Sequence, residues 1–258
     1  MRVIVTRPLA QAATWVADLQ AQGIDAVALP LISIGPPPDR AAVAAAWATL
    51  ATRRLVVFVS PSAAAAFFAE RPPGPAWPTG VRAAAPGPGT RAVLVAHGVD
   101  AAAIVEPAAD APQFDSESLW VRLEHDDWIG ASVLLVRGDG GRDWLATRLR
   151  ERGARVEAVA AYGRTMPAFD AAARRVLAAA LIAPKTHAWL FSSSEAIDNL
   201  VAQGAPSVES GRSAWAGARA VATHPRIAER ARRAGFAEVR EARPSLASVV
   251  ACIQSMPP

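Results

Sequence analysis

The chain of 258 residues contains one cysteine, Cys252, one lysine, Lys185, and one tyrosine, Tyr162. A single thiol excludes an intrachain disulfide and suits a reducing compartment. No apolar run reaches the ~18–20 residues a bilayer span needs. The opening Met1-Arg2-Val3-Ile4-Val5-Thr6-Arg7-Pro8 is too short in its apolar part for a signal peptide, and it leads directly into a strand-turn pattern. Both features point to a cytoplasmic protein. His97, His125, His187 and His224 are scattered, and no His/Cys/carboxylate cluster has metal-ligand spacing. No G-x-S-x-G elbow marks a nucleophilic serine, so Ser192-Ser193-Ser194 reads as a helix cap. Gly138-Asp139-Gly140-Gly141 follows a predicted strand but lacks G-x-G-x-x-G spacing, and Lys185-Thr186 lacks the preceding glycines of a phosphate loop.

What is there is apolar residues at 52 %, charged residues at 19 % and a net charge of +4, the balance of a globular chain long enough for one large or two small domains. Its positive charge is almost wholly arginine, whose fixed donor fork matches carboxylates and phosphates. The densest group is Arg226, Arg230, Arg232, Arg233 and Arg240. Arg226, Arg230 and Arg233 would form one helical stripe, read as a solvated outer face. Nucleic acid is therefore not the expected partner, because such a protein would interleave the charge with aromatics. An anionic small molecule fits better.

The sequence also repeats itself. Val3-Ile4-Val5-Thr6-Arg7 is echoed by Val133-Leu134-Leu135-Val136-Arg137, an offset of 130 shared by Leu19/Leu149 and Gly23/Gly153. Phe58…Ser60-Pro61-Ser62-Ala63 matches Phe191…Ser193-Ser194-Glu195-Ala196 at offset 133, and Pro88…Gly98 matches Pro225…Gly235 at offset 137. A duplicated α/β module implies two similar domains facing one cleft. Hydrophobic periodicity predicts strands at 3–5, 26–29, 55–59, 82–85, 103–105, 133–136, 155–158, 188–191, 219–222 and 237–240. It predicts helices at 10–22, 39–52, 62–68, 90–96, 116–123, 142–152, 171–181, 194–201, 225–234 and 245–253. This alternation implies parallel sheets with helices on both faces. Extended segments at 30–38 and 160–167 break the cycle, the first ending in a proline run that no helix interior tolerates. If both cross between domains, one domain holds 1–33 plus 168–258, the other holds 38–160, and 31–38 and 160–167 are linker strands. A tandem cut near Trp128-Ile129-Gly130 fits the repeats equally well.

Ligands of doubly wound sheets bind beyond the carboxyl ends of the strands. The loops there carry Thr6 and Arg7, then Ser60 and Ser62, then Gly87 and Thr90. Further along come Arg137, Gly138 and Arg142, then Ser193 and Ser194, and finally Arg226. Most precede a helix directly, so they present backbone N–H groups and a positive helix end to an anion. Ordinary capping explains any one of them. Tyr162, on the second crossing, either faces the cleft, where its phenol could donate a proton to a leaving oxygen, or packs as a linker aromatic.

The order of these motifs resembles uroporphyrinogen-III synthase over nearly the whole chain. The residues are Val5-Thr6-Arg7-Pro8, Phe58-Val59-Ser60-Pro61-Ser62-Ala63, Gly87-Pro88-Gly89-Thr90, Asp115-Ser116-Glu117 and Val136-Arg137-Gly138-Asp139-Gly140-Gly141-Arg142. After them come Tyr162-Gly163-Arg164, Phe191-Ser192-Ser193-Ser194-Glu195-Ala196 and His224-Pro225-Arg226-Ile227-Ala228. Ser62, Val59 and Pro86 depart from the usual family residues. The resemblance implies two similar parallel-sheet, three-layer α/β domains joined by a two-stranded β linker, which selects the out-and-back topology. It implies a monomeric cytoplasmic lyase of tetrapyrrole and haem biosynthesis, with neither a metal nor an organic cofactor. Its substrate would be hydroxymethylbilane, a linear tetrapyrrole with eight carboxylates, closed with loss of water and inversion of ring D to uroporphyrinogen III. Tyr162, matching the family tyrosine, would assist departure of the hydroxyl. Arg7, Arg137 and Arg142 would meet carboxylates, and Thr90, Ser62, Ser193 and Ser194 would supply backbone or hydroxyl contacts. The alternative is a non-enzymatic two-domain binding protein for an anionic small molecule.

Overall fold

The structure is a computed structural model that describes residues 1–74, 76–203, 215 and 217–256. It divides into two compact units, one of Met1–Ser33 with Thr165–Pro258 and one of Ile34–Arg164. The chain begins with β1 (Arg2–Val5), α1 (Leu9–Ala21) and β2 (Ala26–Ala28). It then builds β3 (Ser33–Gly35), α2 (Arg40–Ala48), β4 (Leu55–Phe58), α3 (Pro61–Ala69), β5 (Arg82–Ala84), α4 (Pro88–Ala96) and β6 (Ile104–Val105). Next come α5 (Ser116–Trp120), β7 (Ser132–Gly138), α6 (Trp144–Glu151) and β8 (Arg155–Thr165). The remainder is α7 (Ala171–Ile182), β9 (His187–Phe191), α8 (Ser194–Ala202), β10 (Arg219–Ala222), α9 (Pro225–Arg233), β11 (Glu238–Glu241) and α10 (Leu246–Gln254).

The first unit holds a sheet in the order β11-β10-β9-β1-β2, all parallel. The second holds β3-β8-β7-β4-β5-β6, with the ladders among β4 to β8 parallel. Read from β2 and from β8, the two sheets have the same order, β1 standing where β7 stands, β9 where β4 does and β10 where β5 does. The offsets near 130 are thus a duplication of architecture, and β3 is an added edge strand beside β8.

Alternation along each strand splits the core in two. In β1, Ile4 packs with Trp189, Phe191, Leu200 and Ile227 under α7, α8 and α9, while Val3 and Val5 pack with Leu19, Leu190 and Val249 under α1 and α10. In the second unit Val56, Phe58 and Val136 lie under α2, α3 and α4, and Leu55, Val57 and Leu135 lie under α5 and α6. Each sheet is covered on both faces, the three-layer arrangement parallel strands require. At about 1.5–3 kcal/mol per fully buried aliphatic side chain, these four clusters dominate the stabilising side of folding.

Four elements differ from the periodicity. The helix expected at 39–52 stops at Ala48 and continues as a 3₁₀ turn, Leu50–Thr52. The helix expected at 116–123 ends at Trp120, where Arg122 and Leu123 donate instead to the i−3 carbonyls of Leu119 and Trp120. The helix expected from 142 begins at Trp144, because Gly141 sits at φ +134°, outside helical space. The strand expected to end at 158 runs unbroken to Thr165, so the second extended segment is the end of β8 itself.

Candidate active site

At the end of β1, Thr6 is buried and its hydroxyl donates to the carbonyl of Leu190 at 2.8 Å, tying β1 to β9. Its side chain is therefore committed to the sheet. Arg7 follows, with its guanidinium 4.6 Å above the Trp15 ring of α1 and one nitrogen 3.4 Å from Gln11 Oε1. Its Nε is buried without a partner, and burial pushes the guanidinium down to about 10, still cationic at neutral pH. No carboxylate of the described residues pairs with Arg7.

Arg137 and Arg142 differ. Arg137 donates to Asp143 Oδ1 at 2.5 Å. Arg142 makes a two-pronged pair with Glu117, at 2.6 and 3.1 Å, and that hydrogen bond holds its pKa above the ordinary value against the opposing effect of burial. Two of the three arginines that the sequence offered to substrate carboxylates already hold carboxylates of their own.

The hydroxylic loops cap helices. Ser60 Oγ accepts from the Ala63 N–H at 3.1 Å, Ser193 Oγ accepts from the Glu195 N–H at 3.2 Å, and His224 Nδ1 accepts from the Arg226 N–H at 3.1 Å. Each leaves other first-turn N–H groups at the helix end. The starts of α3 and α4 are neighbours, since a Cβ on Gly89 would lie 3.4 Å from Pro61 Cγ, so Ser60, Ser62, Gly87 and Thr90 gather in one region of the second unit. Thr90 is buried, and Gly87 admits the close approach of Phe114, whose Cβ lies 2.9 Å from where a side chain would begin. In the first unit Ser194 and Arg226 line one shallow groove of about 580 Å³ beside α9. Along α9, Arg230 pairs with Asp198 and Arg233 with Glu229, so two of the three stripe arginines hold carboxylates, as does Arg232 beside them with Glu241.

Tyr162 is 5 % exposed and belongs to the core under α2, α3 and α4. Its ring covers Gly138: a Cβ there would lie 2.9 Å from Tyr162 Cζ and 3.1 Å from its hydroxyl oxygen. The structure thus favours the packed alternative for this aromatic, with its hydroxyl lying beside Gly138. Three carboxylates that sequence reasoning gave no role, Glu117, Asp139 and Asp143, shape this neighbourhood. Asp143 stands only six residues from Arg137, a spacing visible in the sequence, whereas the 25-residue separation of Glu117 from Arg142 carries no local signal. Among the described residues no His, Cys, Asp and Glu side chains group as a metal would require, and no helix is long and apolar enough to cross a membrane.

Comparisons with known proteins agree with this architecture. The family model described as uroporphyrinogen-III synthase HemD matches residues 13–251. The uroporphyrinogen-III synthase of Salmonella typhimurium is 32 % identical over 173 residues, covering 67 % of this chain and 68 % of that protein. Two solved structures share the fold. A mutant uroporphyrinogen III synthase from the extremely thermophilic bacterium Thermus thermophilus has a TM-score of 0.59 at 18 % identity, covering 98 % of this chain and 97 % of its own. The uroporphyrinogen-III synthetase of Helicobacter pylori has a TM-score of 0.57 at 16 % identity, covering 99 % of both chains. The extent of the family match, together with the Salmonella relative, shows that this chain belongs to the uroporphyrinogen-III synthase family.

Proposed function

We propose that this chain, a cyclising hydro-lyase of haem biosynthesis by family, binds hydroxymethylbilane through Arg7 and the helix-leading loops and uses Tyr162 to assist the loss of water. The observation that carries the binding half is the Arg7 guanidinium, half-buried over Trp15 with its Nε enclosed and unpartnered. A cation in that state gains most from an incoming carboxylate. The first-turn N–H groups behind Ser60, Ser62, Gly87, Thr90, Ser193, Ser194 and Arg226 add neutral donors for further carboxylates. Arg137 and Arg142, with Asp143 and Glu117 already beside them, serve by holding the loop after β7 and by exchanging partners when substrate arrives. Thr6 and Gly138 contribute through the backbone they fix.

The chemistry asks little of the side chains. The pyrrole nitrogen of the hydroxymethyl ring pushes out the hydroxyl as the Tyr162 O–H protonates it, so water leaves and an azafulvene cation remains. Ring D attacks through its substituted carbon. The spiro intermediate fragments and recloses with ring D inverted, and the proton lost on rearomatisation restores the phenol. No nucleophilic residue is needed, and holding a flexible octa-anion in the shape that permits spiro attack is an orientation task. The reading includes a cytoplasmic monomer.

Incubation with enzymatically generated hydroxymethylbilane, followed by separation of uroporphyrin isomers, is the test. Isomer III at a rate far above spontaneous closure is expected, and isomer I alone would overturn the reading. Tyr162→Phe is expected to lower kcat about 10- to 100-fold with KM little changed, the usual range for losing a positioned proton donor. Wild-type kcat in that variant would remove Tyr162 from the mechanism.

A further inference from the structure

Tyr162 reaches its position through an irregularity in the β7–β8 ladder. The register runs Val136 to Val159 and Arg137 to Ala160, then skips a residue so that Gly138 opposes Tyr162. Ala161 is the extra residue, a bulge. Without it Gly138 would oppose Ala161, and Tyr162 would point to the other face of the sheet. With it, Ala161 and Tyr162, though consecutive, both enter the same core as Val136 and Val159.

Asp139 closes this bulge on both sides. Its backbone N–H donates to the Tyr162 carbonyl at 3.1 Å, and its carboxylate Oδ2 accepts from the Arg164 N–H at 3.3 Å. The same carboxylate stands 3.7 Å from Arg164 Nε. The residues directly before and directly beyond Gly163 are thereby both held by one side chain and its own backbone. Gly163 in turn donates to the Pro36 carbonyl at 2.9 Å, so the far side of the bulged strand is also fixed. A bulge leaves backbone groups unpaired unless something nearby supplies partners, and the end of β8 is where pairing would otherwise slip back by one residue.

We propose that Asp139 is a positioning residue for the reaction: by latching the end of the bulged strand it keeps the Tyr162 ring and hydroxyl over Gly138. The proposal rests on the reading of Tyr162 as the group that assists the departing hydroxyl. Asp139 itself need not touch substrate.

Tyr162 is the only tyrosine in the chain, so full-length protein grown with 3-fluorotyrosine shows one ¹⁹F resonance that reports its ring. Asp139→Ala leaves the backbone bond intact and removes only the exposed carboxylate. It is expected to shift or split that resonance and to lower kcat at least tenfold, with KM within about threefold of wild type. Asp139→Asn keeps an oxygen that accepts from the Arg164 N–H and is expected to restore the resonance and most of kcat. Asp139→Ser gives an intermediate second truncation should the alanine variant fold poorly. In a Tyr162→Phe background, Asp139→Ala is expected to cost less than a further twofold. An unmoved resonance with unchanged kcat, a loss of equal size in both backgrounds, or an asparagine variant as impaired as the alanine one would each overturn the proposal. Full activity in Tyr162→Phe alone would instead remove the phenol's role, while the ¹⁹F resonance would still show whether Asp139 sets the ring.

Discussion

Enclosing the Arg7 Nε beside Trp15, with no carboxylate of the described residues paired to the guanidinium, costs the ligand-free protein stability. Arg7→Met keeps the packing on the indole and removes the charge. This variant is expected to be more stable than wild type by about 1 kcal/mol at pH 7 in the absence of ligand, read from the denaturant midpoint, while its KM rises about 10- to 100-fold. The sign of the pH dependence follows from burial, which lowers the folded-state guanidinium from its ordinary value to about 10. A base whose folded pKa is depressed binds fewer protons than its unfolded form, so wild-type stability recovers as pH rises through 10 and the advantage of Arg7→Met shrinks there. A gap that widened between pH 7 and 10.5 would contradict this account. Arg142→Ala should behave oppositely, losing stability with the Glu117 pair.

The β7–β8 ladder sets where Tyr162 packs, through the register shift beside Gly138. Gly138→Ala would place a Cβ 2.9 Å from Tyr162 Cζ, closer than carbon atoms approach, so the ring must lift. The substitution is expected to cost about 1–3 kcal/mol in chemical denaturation and to lower kcat. In a Tyr162→Ala background the same change should cost far less, and equal penalties in both backgrounds would show that the ring is not what it strikes. Ser193→Ala, which removes a cap acceptor from α8, should cost about 1 kcal/mol. Much of this level was legible beforehand. Short apolar runs such as Val3-Ile4-Val5 and Val133-Leu134-Leu135-Val136 announce buried parallel strands, and the offsets between them announce two equivalent sheets. The bulge was not legible, because Ala160-Ala161 has no periodicity to lose. Nor were the arginine partners, since the fold brings Glu117 to Arg142 and sequence spacing does not. Tyr162 was singled out by rarity, but its packing over Gly138 depends on a register shift that arises only in the paired sheet.

Each compact unit has its own pair of cores, and the second is continuous in sequence. A fragment of residues 33–165 is expected to unfold in one cooperative transition by circular dichroism and fluorescence. A broad, non-cooperative melt would show that its sheet relies on the rest of the chain. The other unit has a different history, because its sheet places β1 between β9 and β2. As the ribosome makes the chain, β1, α1 and β2 emerge first, and β9 follows only after residues 34–164 and α7 have been added. At about 5–20 residues per second, Val3, Ile4 and Val5 wait on the order of ten seconds for their neighbour, with one side of the strand unpaired. Meanwhile the inserted unit can complete its own sheet. The discontinuity therefore sets an order of assembly: the inserted unit, continuous in sequence, can complete its sheet before the interrupted one receives β9.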